Sequence, residues 1–372
     1  MKKSKLLFTI IFALLAVGLT AGCTRGGAAS SWPGISLENE SGYFAYGSQV
    51  YAIDAKNGNL IWRYPQDPNN SIQFYAPPEI SDEMVIVGSY ANSLIGLDKQ
   101  SGFLEWEFTA VGDRFIGSAL SLDGAVFAPN ADGYLYALNE SGKLQWRFKS
   151  NGPIWTKPAA NNLIYVASMD HFLYALNPEN DPDNLVMDED GSRTLVPEPV
   201  WSTDLGAAVT ADPLLVEGQI FVATFEGNFY AVDIRDGQIL WKFNDGENLA
   251  AVWGKPVFSN KKVYFGDVEG KLYCLEAETG DPVWPSYYNA GSKLIAGGVS
   301  VDNGVLYVTE GGRVFVIDEN QDPKPIASFE SSLYSDPKYT EDTIILAPAT
   351  QDALFTAVDM DGNEIWSFAP AE

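Results

Sequence analysis

The chain has one histidine, His171, and two cysteines, Cys23 and Cys274. That scarcity excludes a histidine-based catalytic triad, a zinc site built from His and Cys, and a disulfide framework. Basic residues are few as well: 23 Lys and Arg stand against 49 Asp and Glu, a formal net charge of −26 at pH 7. Nucleic-acid binding relies on Lys and Arg to neutralise phosphates and release counterions, so this balance argues against it. The apolar run at residues 6–19 falls short of the roughly 20 residues that cross a bilayer as a helix. What the chain has in quantity is aromatic residues, 13% of the total, beside 34 Gly and 21 Pro in 372 residues. Ample apolar surface cut up by frequent turn formers predicts many short strands.

Lys2, Lys3 and Lys5 precede the apolar run, and Thr20-Ala21-Gly22-Cys23 follows it. These are the charged region, apolar region and small-residue cleavage site of an export signal. The ending resembles a bacterial lipobox, in which small residues precede a cysteine that is acylated and becomes the first residue; the leucine of that pattern falls one place early. The resemblance implies a lipoprotein signal peptide at 1–22, lipidation of Cys23, and anchoring to the extracytoplasmic face of a bacterial membrane. Residues 23–31, rich in Gly, Ala and Ser, then form a flexible tether.

The remainder, 32–368, is repetitive. Trp62, Trp106, Trp146, Trp201, Trp241, Trp284 and Trp366 recur at intervals of about 40 residues, with one longer interval and one double interval holding a degenerate copy at 327–329. Upstream of each copy lies an apolar stretch ending in Asp54, Asp98, Asn139, Asn177, Asp233, Glu276, Asp318 or Asp359. Both signatures count eight units. Each period divides into four strands; in the fifth unit these are expected at 213–216, 220–224, 228–232 and 239–243. The stretch ending in Asp or Asn is apolar on both faces, as in a strand sandwiched between neighbouring sheets. The Trp strand alternates, with Trp146 and Phe148 on one face and Arg147 on the other, which suits an outer strand. Glycines between the two, such as Gly102 and Gly142, supply the positive φ of a hairpin turn.

Eight four-stranded antiparallel units predict an all-β, eight-bladed β-propeller. The stretch Asp132-Gly133-Tyr134-Leu135-Tyr136-Ala137-Leu138-Asn139 running on to Trp146 resembles the pyrroloquinoline-quinone-like (PQQ-like) repeat, and the likeness covers nearly all of 32–368. Exchange of a strand between first and last blades is not required, because the repeats keep one frame.

Several residues invite a sharper reading. The Asp, Asn or Glu after each central strand is expected to cap its own turn, since radial repetition scatters these side chains round the rim. Cys274 replaces a small residue of a buried strand, which makes it a packing residue with a raised pKa and no nucleophile. His171 stands where other units have a turn glycine, and reads as a surface turn residue. The acidic insertion at 178–199 lacks the oxygen spacing of a calcium loop and reads as a solvated loop open to a partner. Quinoprotein dehydrogenases share the repeat, so a quinone-dependent oxidase is the enzymatic alternative. Their best-known branch carries adjacent cysteines and a calcium site, and some members add a Cys-x-x-Cys-His haem motif; the chain has neither cysteine pattern. No catalytic residue, metal or cofactor is therefore expected.

One constellation is less bland. Aligned on their repeats, the units place Trp32, Tyr75, Ile116, Trp155, Thr210, Trp253, Ala296 and Tyr334 just before the innermost strand, at one mouth of the central channel. Trp32, Tyr75, Trp155, Trp253 and Tyr334 form a candidate binding ring, with Arg114, Lys157 and Lys255 nearby to orient an acidic segment. Such faces wedge blades or stack against an extended peptide or a glycan. The whole resembles the lipoprotein scaffold of the outer-membrane β-barrel assembly machinery (BamB-like), which implies a protein partner at the cell envelope. Mass spectrometry of the intact protein tests the N-terminal reading: Cys23 is expected as the first residue with added acyl mass, and recovery of an unprocessed Met1 chain contradicts it.

Overall fold

The computed structural model describes residues 33–178, 185–187, 193–195, 197–302, 304–350 and 352–370. Cys23, Trp32 and most of the acidic insertion lie outside them. Eight consecutive segments, 34–64, 79–108, 120–149, 159–204, 214–243, 257–289, 299–328 and 338–368, each form an antiparallel sheet in which strand order follows the chain. These are blades 1 to 8 of the expected propeller. Strands of the fifth blade fall at Leu214–Val216, Gln219–Ala223, Phe229–Asp233 and Ile239–Phe243, within a residue or so of expectation. Innermost strands touch between blades 1 and 2, 2 and 3, 4 and 5, 6 and 7, and 7 and 8, and blade 8 touches blade 1 in the same way. Among the described residues no strand is exchanged at the closure.

The core is not inside the sheets but between them. Eight apolar clusters each join two neighbouring blades; the closing one packs Phe44 of blade 1 on Phe355 of blade 8, ring centroids 3.8 Å apart. Third strands such as Gln49–Asp54 are buried along almost their whole length, as a doubly covered strand must be. Outer strands alternate: Trp146 and Phe148 are buried while Gln145 and Lys149 are exposed.

The recurrent tryptophan joins the blades at the perimeter. In its own blade it lies opposite a small residue, as in the pairs Ala52 with Trp62, Ala137 with Trp146 and Ala357 with Trp366. In five of the seven, Trp62, Trp106, Trp201, Trp241 and Trp366, the ring then lies over the turn glycine of the next blade, whereas Trp146 and Trp284 reach only a backbone carbonyl there. A Cβ on Gly102 would sit 2.6 Å from the Trp62 ring, and one on Gly58 would sit 2.7 Å from the Trp366 ring, so only glycine fits there; both also have positive φ. The indole N–H donates to a backbone carbonyl of that next blade: Trp62 to Lys99 (2.9 Å), Trp201 to Ile234 (3.0 Å), Trp241 to Ala277 (3.1 Å) and Trp366 to Ala55 (2.9 Å). The last of these closes the ring. Trp106 covers Gly142 in the same manner, but its N–H turns to Met84 Sδ at 3.2 Å.

Two units depart from the repeat. In blade 6, Pro285 follows Trp284 and brings no N–H to the ladder, and the outer strand shrinks to Tyr288–Asn289; Trp284 is nonetheless buried and donates to Glu319 O at 2.9 Å. Blade 7 has no tryptophan, and its third strand carries Val316 where other blades need a smaller residue beneath the indole. The acidic insertion differs from the solvated loop expected of it. Leu185–Met187 and Arg193–Leu195 form a hairpin that adds to the outer strand of blade 3, Leu195 pairing with Trp146. Unpaired N–H and C=O groups along an edge strand recruit such a segment whatever the charge of its loop.

The turn carboxylates and amides behave as caps. Oδ1 of Asp54, Asp98, Asn139, Asp233, Asp318 and Asp359 accepts a backbone N–H two or three residues on. Truncating the perimeter contact should be costly: Trp146→Ala and Trp366→Ala are each expected to lower unfolding free energy by about 3 to 5 kcal/mol in a denaturant melt. A loss under about 0.5 kcal/mol, the range of surface changes, would show that the indoles do not hold the blades.

Candidate functional site: the channel mouth

Side chains of a strand alternate in direction, so within each innermost segment a residue facing the channel is followed by another two positions deeper. Tyr75, Ile116, Trp155, Thr210, Trp253 and Tyr334 border one cavity of about 200 Å³ at the channel mouth. Four of the five candidate ring aromatics are thus brought together, and the fifth, Trp32, lies outside the described residues. All four are half-buried. Tyr75 stacks on Tyr90 at 4.0 Å, and Trp253 lies 6.3 Å from the exposed Phe225. The Tyr334 hydroxyl donates to Glu310 Oε1 at 3.3 Å. Trp155 differs: its indole N–H is buried with no hydrogen-bond partner among the described residues. A buried donor left unmet costs free energy unless something else satisfies it.

The three candidate cations part ways. Arg114 is exposed, 3.7 Å from Asp113, with its guanidinium over Tyr90 at 5.3 Å, and it does not border the cavity. Lys157 is paired with Glu79, an ion pair that spans from blade 4 to blade 2. Glu79 also accepts the Ser121 N–H of blade 3 at 2.7 Å. Lys255 alone lines the cavity.

Sequence reasoning missed Asp212, Asp336 and Lys338, which line the same cavity. The signal was available: Asp212 and Asp336 follow Thr210 and Tyr334 by two residues, as Lys157 and Lys255 follow Trp155 and Trp253, and Lys338 stands two further on. Asp212 accepts the Lys157 N–H at 2.7 Å, and Asp336 accepts the Gly297 N–H at 2.6 Å, so each carboxylate ties its blade to the preceding one. Burial raises the Asp212 pKa, with Lys255 opposing; burial lowers that of Lys338, with Asp336 opposing. Beyond this layer the channel opens into a second cavity of about 480 Å³, lined among others by Ser36, Glu38, Glu79 and Lys338.

His171 is exposed in a turn with φ 83°, as its place in the repeat implied. Among the described residues no group of three or more His, Cys, Asp or Glu is placed to hold a metal ion.

The family model of the outer membrane protein assembly factor BamB matches residues 33–137 and 197–293. Among curated relatives, the outer membrane protein assembly factor BamB of Yersinia pestis is 24% identical over 250 residues, 63% of this chain and 61% of that protein. The quinohemoprotein alcohol dehydrogenase ADH-IIG of Pseudomonas putida is 32% identical over 128 residues, 31% of this chain and 18% of the enzyme. The chain spans less than two thirds of the length of the curated relatives it matches first. The crystal structure of BamB from Moraxella catarrhalis superposes with a TM-score of 0.67 at 16% identity, covering 88% of this chain and 91% of that one.

Cys274 is buried between blades 6 and 7, and burial pushes its thiol up to about 12, with a Tyr264 hydrogen bond opposing. A thiol so far from ionisation is a poor nucleophile. At pH 8 the folded protein is expected to leave Cys274 unlabelled by iodoacetamide, and unfolding to expose it; peptide mapping that finds it labelled in the native state would contradict its place in the core.

Proposed function

The chain belongs to the family of the outer membrane protein assembly factor BamB, and on that premise we propose that it is a non-catalytic scaffold which binds a protein partner at the bacterial cell envelope. In this reading residues 1–22 are removed, Cys23 carries lipid, 23–31 tether the body, and the propeller stands at the extracytoplasmic face of a membrane. The observation that carries the reading is the channel mouth. Tyr75, Trp155, Trp253 and Tyr334 present partly exposed aromatic surface round one cavity. Binding surfaces concentrate their energy in a few such anchors. The cations contribute less than their number suggests, because Lys157 and Arg114 are already engaged by Glu79 and Asp113.

A quinone-dependent enzyme on the same blades is the second reading, favoured by the dehydrogenase among the relatives. That likeness covers 31% of this chain, and the sequence lacks both the adjacent cysteines and the haem motif of the enzymes it resembles.

The test is capture of outer-membrane assembly components by the chain purified from its own host, identified by mass spectrometry. Trp155→Ala and Trp253→Ala are expected to weaken that capture at least about tenfold while the melting midpoint barely moves. Unchanged capture, or capture lost together with stability, returns these aromatics to blade packing. Competition by soluble sugars with little salt dependence would point to a glycan instead.

A further inference from the structure

Under the aromatic rim, the channel has a charged floor that scaffolding does not need. Lys255 and Lys338 border the rim cavity together with Asp212 and Asp336. Among the described residues neither ammonium group has a hydrogen bond or ion pair; Lys255 acts on Asp212, and Lys338 on Asp336, only at longer range. Each carboxylate spends one oxygen on a backbone N–H, from Lys157 and from Gly297, and the second oxygen of each has no donor. Lys255 is exposed, and Asp212, Asp336 and Lys338 are half-buried; charges drawn partly out of water without a direct partner cost stability, and apolar residues of similar volume at the half-buried positions would be as stable or more so. A protein with only 23 basic residues nevertheless keeps Lys157, Lys255 and Lys338 in its channel.

Size and spacing narrow what this floor can take. A cavity of about 200 Å³ is smaller than the roughly 300 Å³ at which pockets for drug-sized ligands begin, so its occupant is small. Asp212, Lys255 and Asp336 stand two residues beyond the rim positions Thr210, Trp253 and Tyr334, about 7 Å of extended chain, and Lys338 stands four beyond Tyr334. A ligand that satisfies both layers has a flat apolar group at one end, and a positive and a negative group together at the other. We propose that the channel mouth binds a free aromatic α-amino acid, its ring among Tyr75, Trp155, Trp253 and Tyr334, its carboxylate at Lys255 and Lys338, and its ammonium group at Asp212 and Asp336. The site shares its rim with the partner surface proposed above but does not depend on a partner.

Calorimetric titration of the full chain with L-phenylalanine tests this, beside 3-phenylpropionate, which lacks the ammonium group, and 2-phenylethylamine, which lacks the carboxylate. Saturable binding of L-phenylalanine at one site is expected, with both analogues at least about tenfold weaker because each leaves a charged pair in the floor unanswered. Lys255→Met and Asp212→Asn should each weaken L-phenylalanine by a similar factor at an unchanged melting midpoint. Lys338→Met is the further variant if Asp212→Asn melts early. No saturable binding, equal binding of all three compounds, or variants that bind as wild type would overturn the proposal. Binding of L-phenylalanine by a protein that captures no partner would sink the scaffold reading and leave this one standing.

Discussion

The contact on which the rest of the molecule depends is the indole of one blade's outer edge resting on the turn glycine of the next. A four-stranded sheet that is apolar on both faces is not stable alone, so each blade exists only between two others. Apolar packing between sheets is non-directional and would tolerate sliding. A tryptophan adds direction, because its one polar atom must find an acceptor when buried, and here the acceptor is a backbone carbonyl of the adjoining blade. The pair Trp366 and Ala55 makes the closing junction a repeat of the ordinary one. Blade 7 shows how much the ring tolerates: without an indole, a Cβ on Gly362 of blade 8 would still lie 2.0 Å from Ile326 O, the same glycine position now filled by backbone.

Fixing the perimeter frees the centre. Six of the aligned positions just before the innermost strands border the channel mouth and hold residues as different as Ile116, Thr210 and Trp253, whereas Ala296 is buried in the core between blades 7 and 8. Deeper in, Lys157 reaches Glu79 two blades away, and Asp212 and Asp336 bond to the backbone of preceding blades. These polar contacts sit where eight strands converge and apolar side chains cannot fill the space. The channel is thus a place where chemistry varies at small cost to the fold.

The architecture was legible because a repeat of about 40 residues states its own boundaries, and because burial on both faces or on one leaves different patterns in the third and fourth strands. The glycine turns and the Asp and Asn caps were legible for the same local reason. The perimeter partner of each tryptophan was not, since the indole reaches a neighbouring unit and nothing within one unit points there. The short outer strand of blade 6 turns on one proline after Trp284, and the blade 3 hairpin on an edge that only the assembled sheet exposes. At the mouth, aligning one position per unit picked out Tyr75, Trp155, Trp253 and Tyr334, which line one cavity. Stopping at that position hid Asp212, Asp336 and Lys338, and it overvalued Arg114, whose charge is spent on Asp113 and Tyr90 outside the cavity.

Each blade takes its four strands in order from one stretch of chain, and among the described residues only the 185–195 hairpin crosses to a neighbouring sheet, so the other connections between blades are topologically equivalent. The junction between blade 8 and blade 1 is held by side chains and packing, as the other seven are, and the covalent link across those others is only a loop. Joining residue 368 to residue 34 by a linker and opening the chain between any two blades would leave all eight sheets whole, so the molecule is a natural candidate for circular permutation. By the same logic, adding or removing a whole blade would change the bore without breaking any sheet.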